Sequence, residues 1–302
     1  MEKHEIIEEI ERLKKEKNAV ILAHNYQIPE IQDIADFTGD SLELARKATH
    51  VDADIIIFCG VKFMAETAAI LNPDKKVLLP VPDAGCPMAD SFTVEDLIKV
   101  KKRYPDAKVI SYVNTNADVK ALSDCCCTSS NAVKIVEHYK DYPVIFCPDK
   151  NLGSYVQRIL DKELILVEDS CYVHDRNLLK KLKELKEEHP NAIVMVHPEM
   201  PPSIQKEADA VLSTGQMLKF AKKTMNKKFI VGTEEGILHP LRKQNPDKEF
   251  ILLSPELLCK DMKKISLEHI LFALQKGVFE VTVPSDVAEK AKLAIENMLN
   301  IS

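Results

Sequence analysis

Short apolar runs, each closed by polar residues, recur through the chain and predict buried strands. Residues 18–26 open with the turn residue Asn18, continue as Ala19-Val20-Ile21-Leu22-Ala23 and end in His24-Asn25-Tyr26. Displaced by 88 residues, 106–114 has the same form and ends in Tyr112-Val113-Asn114. Displaced by a further 85, so does 191–199, which ends in His197-Pro198-Glu199. Other blocks keep this register without gaps. Asp36, Asp124 and Asp209 coincide, followed by Ser41, Ser129 and Thr214. Ile56-Ile57-Phe58 matches Val144-Ile145-Phe146 and Phe229-Ile230-Val231. Val77-Leu78-Leu79, Leu164-Ile165-Leu166-Val167 and Phe250-Ile251-Leu252-Leu253 lead to Cys86, Cys171 and Cys259 respectively.

Helical patterns lie between these strands. Residues 42–48, 132–138 and 216–222 each follow a hydroxyl-bearing turn, which predicts an N-cap there. Residues 95–104, 178–189 and 267–276 follow the three cysteines; 6–15 and 286–299 add a helix at either end. Strands alternating with helices imply parallel sheets covered on both faces. The reading is α/β: three homologous three-layer αβα units with four-stranded parallel sheets around a pseudo-threefold axis. The units span 1–86, 87–171 and 172–259. A closing segment, 260–302, ends in a helix (285–302) expected to pack back on the first unit.

Composition narrows the chemistry. An apolar content of 45% supplies a sizeable core, and a net charge of -6 argues against a nucleic-acid surface. Only six of the 41 basic residues are arginines, so an anionic substrate is expected to rest on hydroxyls and helix N-termini as much as on guanidinium forks. No run approaches the ~20 apolar residues of a membrane span. Residues 1–15 read as a charged helix, not a signal peptide. Eight cysteines in such a chain point to a reducing, cytoplasmic setting, with metal or cluster binding ahead of disulfides.

The repeat turns scattered residues into one candidate site. His24 and Tyr26, Tyr112 and Asn114, and His197 and Glu199 hold equivalent strand-end positions, while Ser41, Ser129 and Thr214 form another set beside helix starts. Strand C-terminal ends and helix N-termini face the same side of an α/β unit, so all can face one cavity. Glu199, the one carboxylate in the strand-end set, is the candidate general acid/base. Ser213-Thr214-Gly215 reads as a phosphate or carboxylate cradle, and the 232–236 loop as a weaker candidate for the wall. Cys86, Cys171 and Cys259, brought to one axis, suit a cubane iron–sulfur cluster with one iron left open to act as a Lewis acid. Zinc with three thiolates and a water is the alternative, less favoured because the chain has no C-x-x-C pair. Cys125-Cys126-Cys127, Cys59 and Cys147 read as core.

These residues carry a resemblance. The set His24-Asn25-Tyr26, Gly39-Asp40-Ser41, Phe63-Met64-Ala65-Glu66-Thr67, Pro82-Asp83-Ala84-Gly85-Cys86, Tyr112-Val113-Asn114-Thr115, Thr128-Ser129-Ser130-Asn131-Ala132, Cys171-Tyr172-Val173-His174, His197-Pro198-Glu199, Ser213-Thr214-Gly215-Gln216-Met217, Gly232-Thr233-Glu234 and Cys259-x-x-Met262 closely resembles quinolinate synthase, across about residues 18–285. The resemblance implies condensation of iminoaspartate with dihydroxyacetone phosphate to quinolinate, phosphate and water in NAD biosynthesis. It implies a [4Fe-4S] cluster on Cys86, Cys171 and Cys259, and proton transfer by Glu199, His197, Tyr26 and His24. Substrate contacts would come from Tyr112, Asn114, Ser41, Ser129, Ser213, Thr214 and His174. It also implies a functional partner that supplies the imine, L-aspartate oxidase or aspartate dehydrogenase. Two departures stand out: Asp169 where many relatives carry glycine, and Glu256-Leu257-Leu258 where some carry a redox-active cysteine pair. Rival readings are a cluster-dependent dehydratase of another hydroxy acid and a non-catalytic iron–sulfur sensor.

Overall fold

The computed structural model describes residues 2–302 and repeats one topology three times. The first unit runs α1 (Lys3–Glu16), β1 (Ala19–His24), α2 (Pro29–Ile34), β2 (Phe37–Gly39), α3 (Ser41–Ala48), β3 (Ile55–Cys59), α4 (Lys62–Leu71) and β4 (Lys76–Leu78). After a short α5 (Pro87–Ser91), the second runs α6 (Val94–Arg103), β5 (Lys108–Tyr112), α7 (Ala117–Lys120), β6 (Cys125–Cys127), α8 (Ala132–His138), β7 (Val144–Cys147), α9 (Lys150–Leu160) and β8 (Ile165–Leu166). The third runs α10 (Leu179–Glu188), β9 (Ile193–Val196), α11 (Pro202–Gln205), β10 (Ala210–Val211), α12 (Thr214–Lys223), β11 (Lys228–Gly232), α13 (Leu238–Gln244) and β12 (Glu249–Leu252). Helices α14 (Leu267–Lys276) and α15 (Ser285–Ile301) close the chain. No helix among the described residues is long and apolar enough to cross a membrane.

Each sheet has four parallel strands in the order second, first, third, fourth: β2-β1-β3-β4, β6-β5-β7-β8 and β10-β9-β11-β12. The chain leaves the first strand toward one edge and returns to the other side of it. That reversal opens a crevice beyond the strands' carboxyl ends. The β-branched and aromatic runs that fill the central strands are shielded on both faces. Ile21, Ile56, Phe146 and Phe229 are buried to 2% exposure or less, and each such side chain contributes roughly 1.5–3 kcal/mol.

Two clips recur with the repeat, the first at the surface and the second buried. Asp36, Asp124 and Asp209 each accept an amide hydrogen bond from the first strand of their own unit: Ile21 at 2.7 Å, Val109 at 2.9 Å and Val194 at 2.8 Å. The amide of each aspartate donates back to the carbonyl of the same strand residue. These aspartates therefore bind the second strand to the first. The other clip holds the turn after the first strand. Gln32 donates to the carbonyl of Gln27 at 2.8 Å and Gln205 to that of Met200 at 2.7 Å. Lys120 holds the same place in the second unit and donates to Thr115.

The ends of several elements differ from the sequence expectation. The strand before Cys171 shrinks to Ile165–Leu166 and is only half-buried, because it is the edge of its sheet. The last helix, α15, does lie on α4 of the first unit, but packs more extensively on β6 and α7 of the second. Its stripe Ala291, Ala294, Ile295 and Met298 is buried, and Asn297 donates to the Asp124 carbonyl. The return to the first unit is made ahead of it, where residues 279–281 pair antiparallel with the β4 edge.

Replacing Asp209 with alanine leaves the buried Val194 amide without its partner, which should cost about 1–3 kcal/mol of stability with the fold retained. Urea unfolding of Asp209→Ala checks this; an unchanged midpoint would remove the clip from its role.

Candidate active site

The carboxyl ends of all three sheets border one cavity of about 710 Å3, its mouth included. It is lined by His24, Tyr26, Ser41, Tyr112, Asn114, Ser129, His174, His197, Glu199 and Thr214, and by Cys86, Cys171 and Cys259. All the expected site residues but one thus converge. Ser213 does not line the cavity. It is fully buried, caps α12 through the Gln216 amide and donates to Asp40 Oδ2 at 3.0 Å. Gly215 serves the same packing: a Cβ there would stand 2.7 Å from Glu43 Oε2, so its absence lets the starts of α12 and α3 meet. Asp40 in turn caps α3, accepting from the Leu42 and Glu43 amides. With Asp40 and Ser213 as the caps, Ser41 and Thr214 occupy the first helical position and their hydroxyls are free of that duty. Asn25 donates to Thr214 Oγ1 at 3.0 Å. Asn114 Oδ1 is buried with no protein partner, an acceptor left over at the cavity wall.

The strands stop at His24, Tyr112 and Val196, and the next turn brings the following site residue round. The Tyr26 amide donates to His24 Nδ1 at 3.1 Å, and the Glu199 amide to His197 Nδ1 at 3.3 Å. A ring nitrogen that accepts an amide carries no proton, so both histidines present Nε2–H. That of His197 reaches Ser129 Oγ at 3.1 Å. Burial, with the neighbouring imidazole, pushes His24 down to about 3; burial brings His197 to about 4. Both rings are neutral near pH 7.

Glu199 is the centre of the network. Tyr112 Oη donates to Oε1 at 2.5 Å, and His174 Nδ1 lies 2.7 Å from Oε2. Burial acts to raise this carboxyl. The His197 and His174 imidazoles and the hydrogen bonds from His174 and Tyr112 outweigh it and hold it well below the usual carboxylate range. The two tyrosines move the other way: burial, reinforced by the Glu199 charge, keeps Tyr26 and Tyr112 protonated. His174 Nε2 lies 2.9 Å from Thr233 Oγ1, which lies 2.5 Å from Tyr26 Oη. Tyr26, Thr233, His174, Glu199 and Tyr112 therefore lie in one continuous line of close polar contacts through groups from all three units, with His174 Nδ1 also 3.2 Å from Cys171 Sγ. Thr233 had no signal in the repeat, since its equivalents are Gly60 and Pro148.

The cysteines divide cleanly. Cys59, Cys125, Cys126, Cys127 and Cys147 are fully buried, whereas Cys86, Cys171 and Cys259 are part-exposed. Without a metal the thiols stay protonated: burial pushes Cys86 up to about 12 and raises Cys171 and Cys259 as well. Among the described residues, the donors close enough to share a single ion are Cys171, His174 and Glu199. Cys86 and Cys259 lie outside that group and line the same cavity.

A buried carboxylate wired to two phenols and an imidazole, beside part-exposed thiols in a small-molecule cavity, defines an α/β enzyme of acid–base chemistry. A family model described as Quinolinate synthetase A protein matches residues 8–300. Quinolinate synthase of Alkaliphilus metalliredigens is 50% identical over 302 residues, 100% of both chains. That of Thermodesulfovibrio yellowstonii is 51% identical over 296 residues, 98% of each, and that of Thermococcus kodakarensis 50% over 304 residues, 100% of each. The chain belongs to the quinolinate synthase family.

The neutral histidines set a pH signature for stability. Their folded values lie below the ordinary 6.5, so the unfolded chain binds protons first. Stability should be full above pH 6.5 and fall toward pH 4, each histidine adding up to about 1.4 kcal/mol per pH unit to the slope. Denaturant unfolding of the apoprotein at pH 7, 6 and 5, with His197→Asn flattening the slope, checks it.

Proposed function

We propose that this chain makes quinolinate for NAD biosynthesis, condensing iminoaspartate with dihydroxyacetone phosphate and releasing phosphate and two waters. The observation that carries the reading is the buried Glu199 relay ending in a cavity that also collects the three part-exposed thiols. Family membership supports it independently. Cys86, Cys171 and Cys259 would hold a [4Fe-4S] cluster; their donor type, part exposure and place on one cavity wall fit that group. When bound, the cluster supplies a Lewis-acidic iron for a hydroxyl or carboxylate oxygen.

The protein's own groups handle protons and anions. Glu199, held ionised, relays a substrate proton along its contacts with His174 and Tyr112, so the proton does not have to rest on the carboxylate. Tyr26, through Thr233 and His174, returns a proton to a departing hydroxyl. His24 and His197 offer Nε2–H as neutral donors. No lysine or arginine lines the cavity among the described residues, so phosphate and carboxylates rest on Ser41, Ser129, Thr214, Tyr112 and Asn114. The imine hydrolyses in water, which favours delivery by L-aspartate oxidase or aspartate dehydrogenase in the same cytoplasm. A single ion on Cys171, His174 and Glu199 is the second reading, favoured by their mutual closeness.

Iron and acid-labile sulfide after oxygen-free purification separate the two, at about four of each per chain for the cluster. Alanine at Cys86, Cys171 or Cys259 should abolish the visible absorbance, and alanine at Cys126 should not. Glu199→Gln should lower quinolinate formation by about 10²–10⁴ with the cluster spectrum intact. Thr233→Val, which cuts the relay without removing an ionisable group, should lower kcat and leave KM nearly unchanged. A Thr233→Val enzyme with full kcat would show that the relay is not used.

A further inference from the structure

A loop that carries a lone cysteine must be tied to something rigid if its sulfur is to reach a fixed point. The same backbone bond does this in each unit. The amides of Lys62, Lys150 and Glu235, just beyond the third strand, donate to the carbonyl two residues before each cysteine: Ala84 at 2.8 Å, Asp169 at 2.8 Å and Leu257 at 2.9 Å. The donors are 88 and then 85 residues apart, and the acceptors, like the cysteines, 85 and then 88.

One residue earlier the units diverge. Asp149 is fully buried; its Oδ2 accepts the Cys171 amide at 3.0 Å and its Oδ1 the Leu152 amide at 2.7 Å. Glu234, at the equivalent place and equally buried, accepts the Cys259 amide through Oε1 at 3.1 Å and the Gly236 amide through Oε2 at 2.7 Å. Lys263 pairs with it at 2.8 Å. The first unit has Val61 there, which offers no acceptor, and the Cys86 amide makes no such bond.

We propose that Asp149 and Glu234 are positioning residues that fasten Cys171 and Cys259 for the cluster, with Cys86 left on the least restrained of the three loops. Both oxygens of each carboxylate accept from an N–H. An amide side chain would set its NH2 against one of those donors, so a carboxyl group, and not its amide, satisfies the pair. Ligands held by such outer contacts lose metal affinity by about 10–100-fold when the contact is removed. The inference rests on the three-cysteine reading of the cluster.

The test uses Asp149→Asn and Glu234→Gln in the full chain. In the apoprotein, iodoacetamide labelling read at each cysteine by mass spectrometry should rise at least threefold at Cys171 in Asp149→Asn, and at Cys259 in Glu234→Gln, with the other two sites unchanged. After reconstitution, each variant should lose iron to a chelator about 10–100 times faster than the wild type. Wild-type labelling together with wild-type iron loss overturns the proposal, and so does equal acceleration at all three cysteines. Should a variant fail to fold, amide exchange of the wild-type apoprotein decides. Cys171 and Cys259 should exchange at least tenfold more slowly than Cys86, and equal rates overturn the proposal. If the wild type takes up no iron and sulfide, the cluster reading fails while labelling and exchange still report on the clips.

Discussion

A carboxylate sealed from water has to be matched where it lies, and the matching of Glu199 joins the three units. Glu199 comes from the third unit, Tyr112 from the second, and His174 from the link between them. Through Thr233 the chain extends to Tyr26 of the first. An uncompensated buried charge costs several kcal/mol, so these contacts hold only when the three sheets converge correctly. Assembly of the fold and formation of the Glu199 network are in this respect one requirement.

The repeat explains how a single gene product builds such a centre. Each unit supplies a strand end aimed at the axis, a hydroxyl beside a helix start and a cysteine after its last strand. Clips at equivalent positions, Asp36, Asp124 and Asp209 on the strands and Gln32, Lys120 and Gln205 on the turns, keep the aim the same three times over. What differs is the chemistry placed on this common frame: His24 with Tyr26, Tyr112 with Asn114, His197 with Glu199. An asymmetric substrate needs three different faces, and divergence at equivalent positions provides them.

Legibility followed the repeat closely. The three sheets, the core reading of Cys125 to Cys127 and the convergence of the site residues could all be read because equivalent blocks align without gaps. The residues given least weight are those where the copies disagree. Asp149 was not singled out, and Thr233 and Glu234 entered only through the 232–236 loop, because Thr233 faces Gly60 and Pro148 in the register and Asp149 and Glu234 face Val61. Ser213 was misplaced for a local reason: a hydroxyl before Gly suggests an anion cradle, yet it was needed as the cap that frees Thr214. The end of α15 depended on contacts with the second unit that no local pattern encodes.

The unequal exposure of the eight thiols bears on how this protein ages. Five are sealed inside the sheets, where no oxidant meets them, and three open to the cavity. Oxygen and peroxide therefore reach the three cavity-facing sulfurs first. On the proposed cluster reading, chemical injury would silence the molecule before it unfolded it, and thiol reductants would restore only sulfurs not oxidised past the sulfenic or disulfide stage.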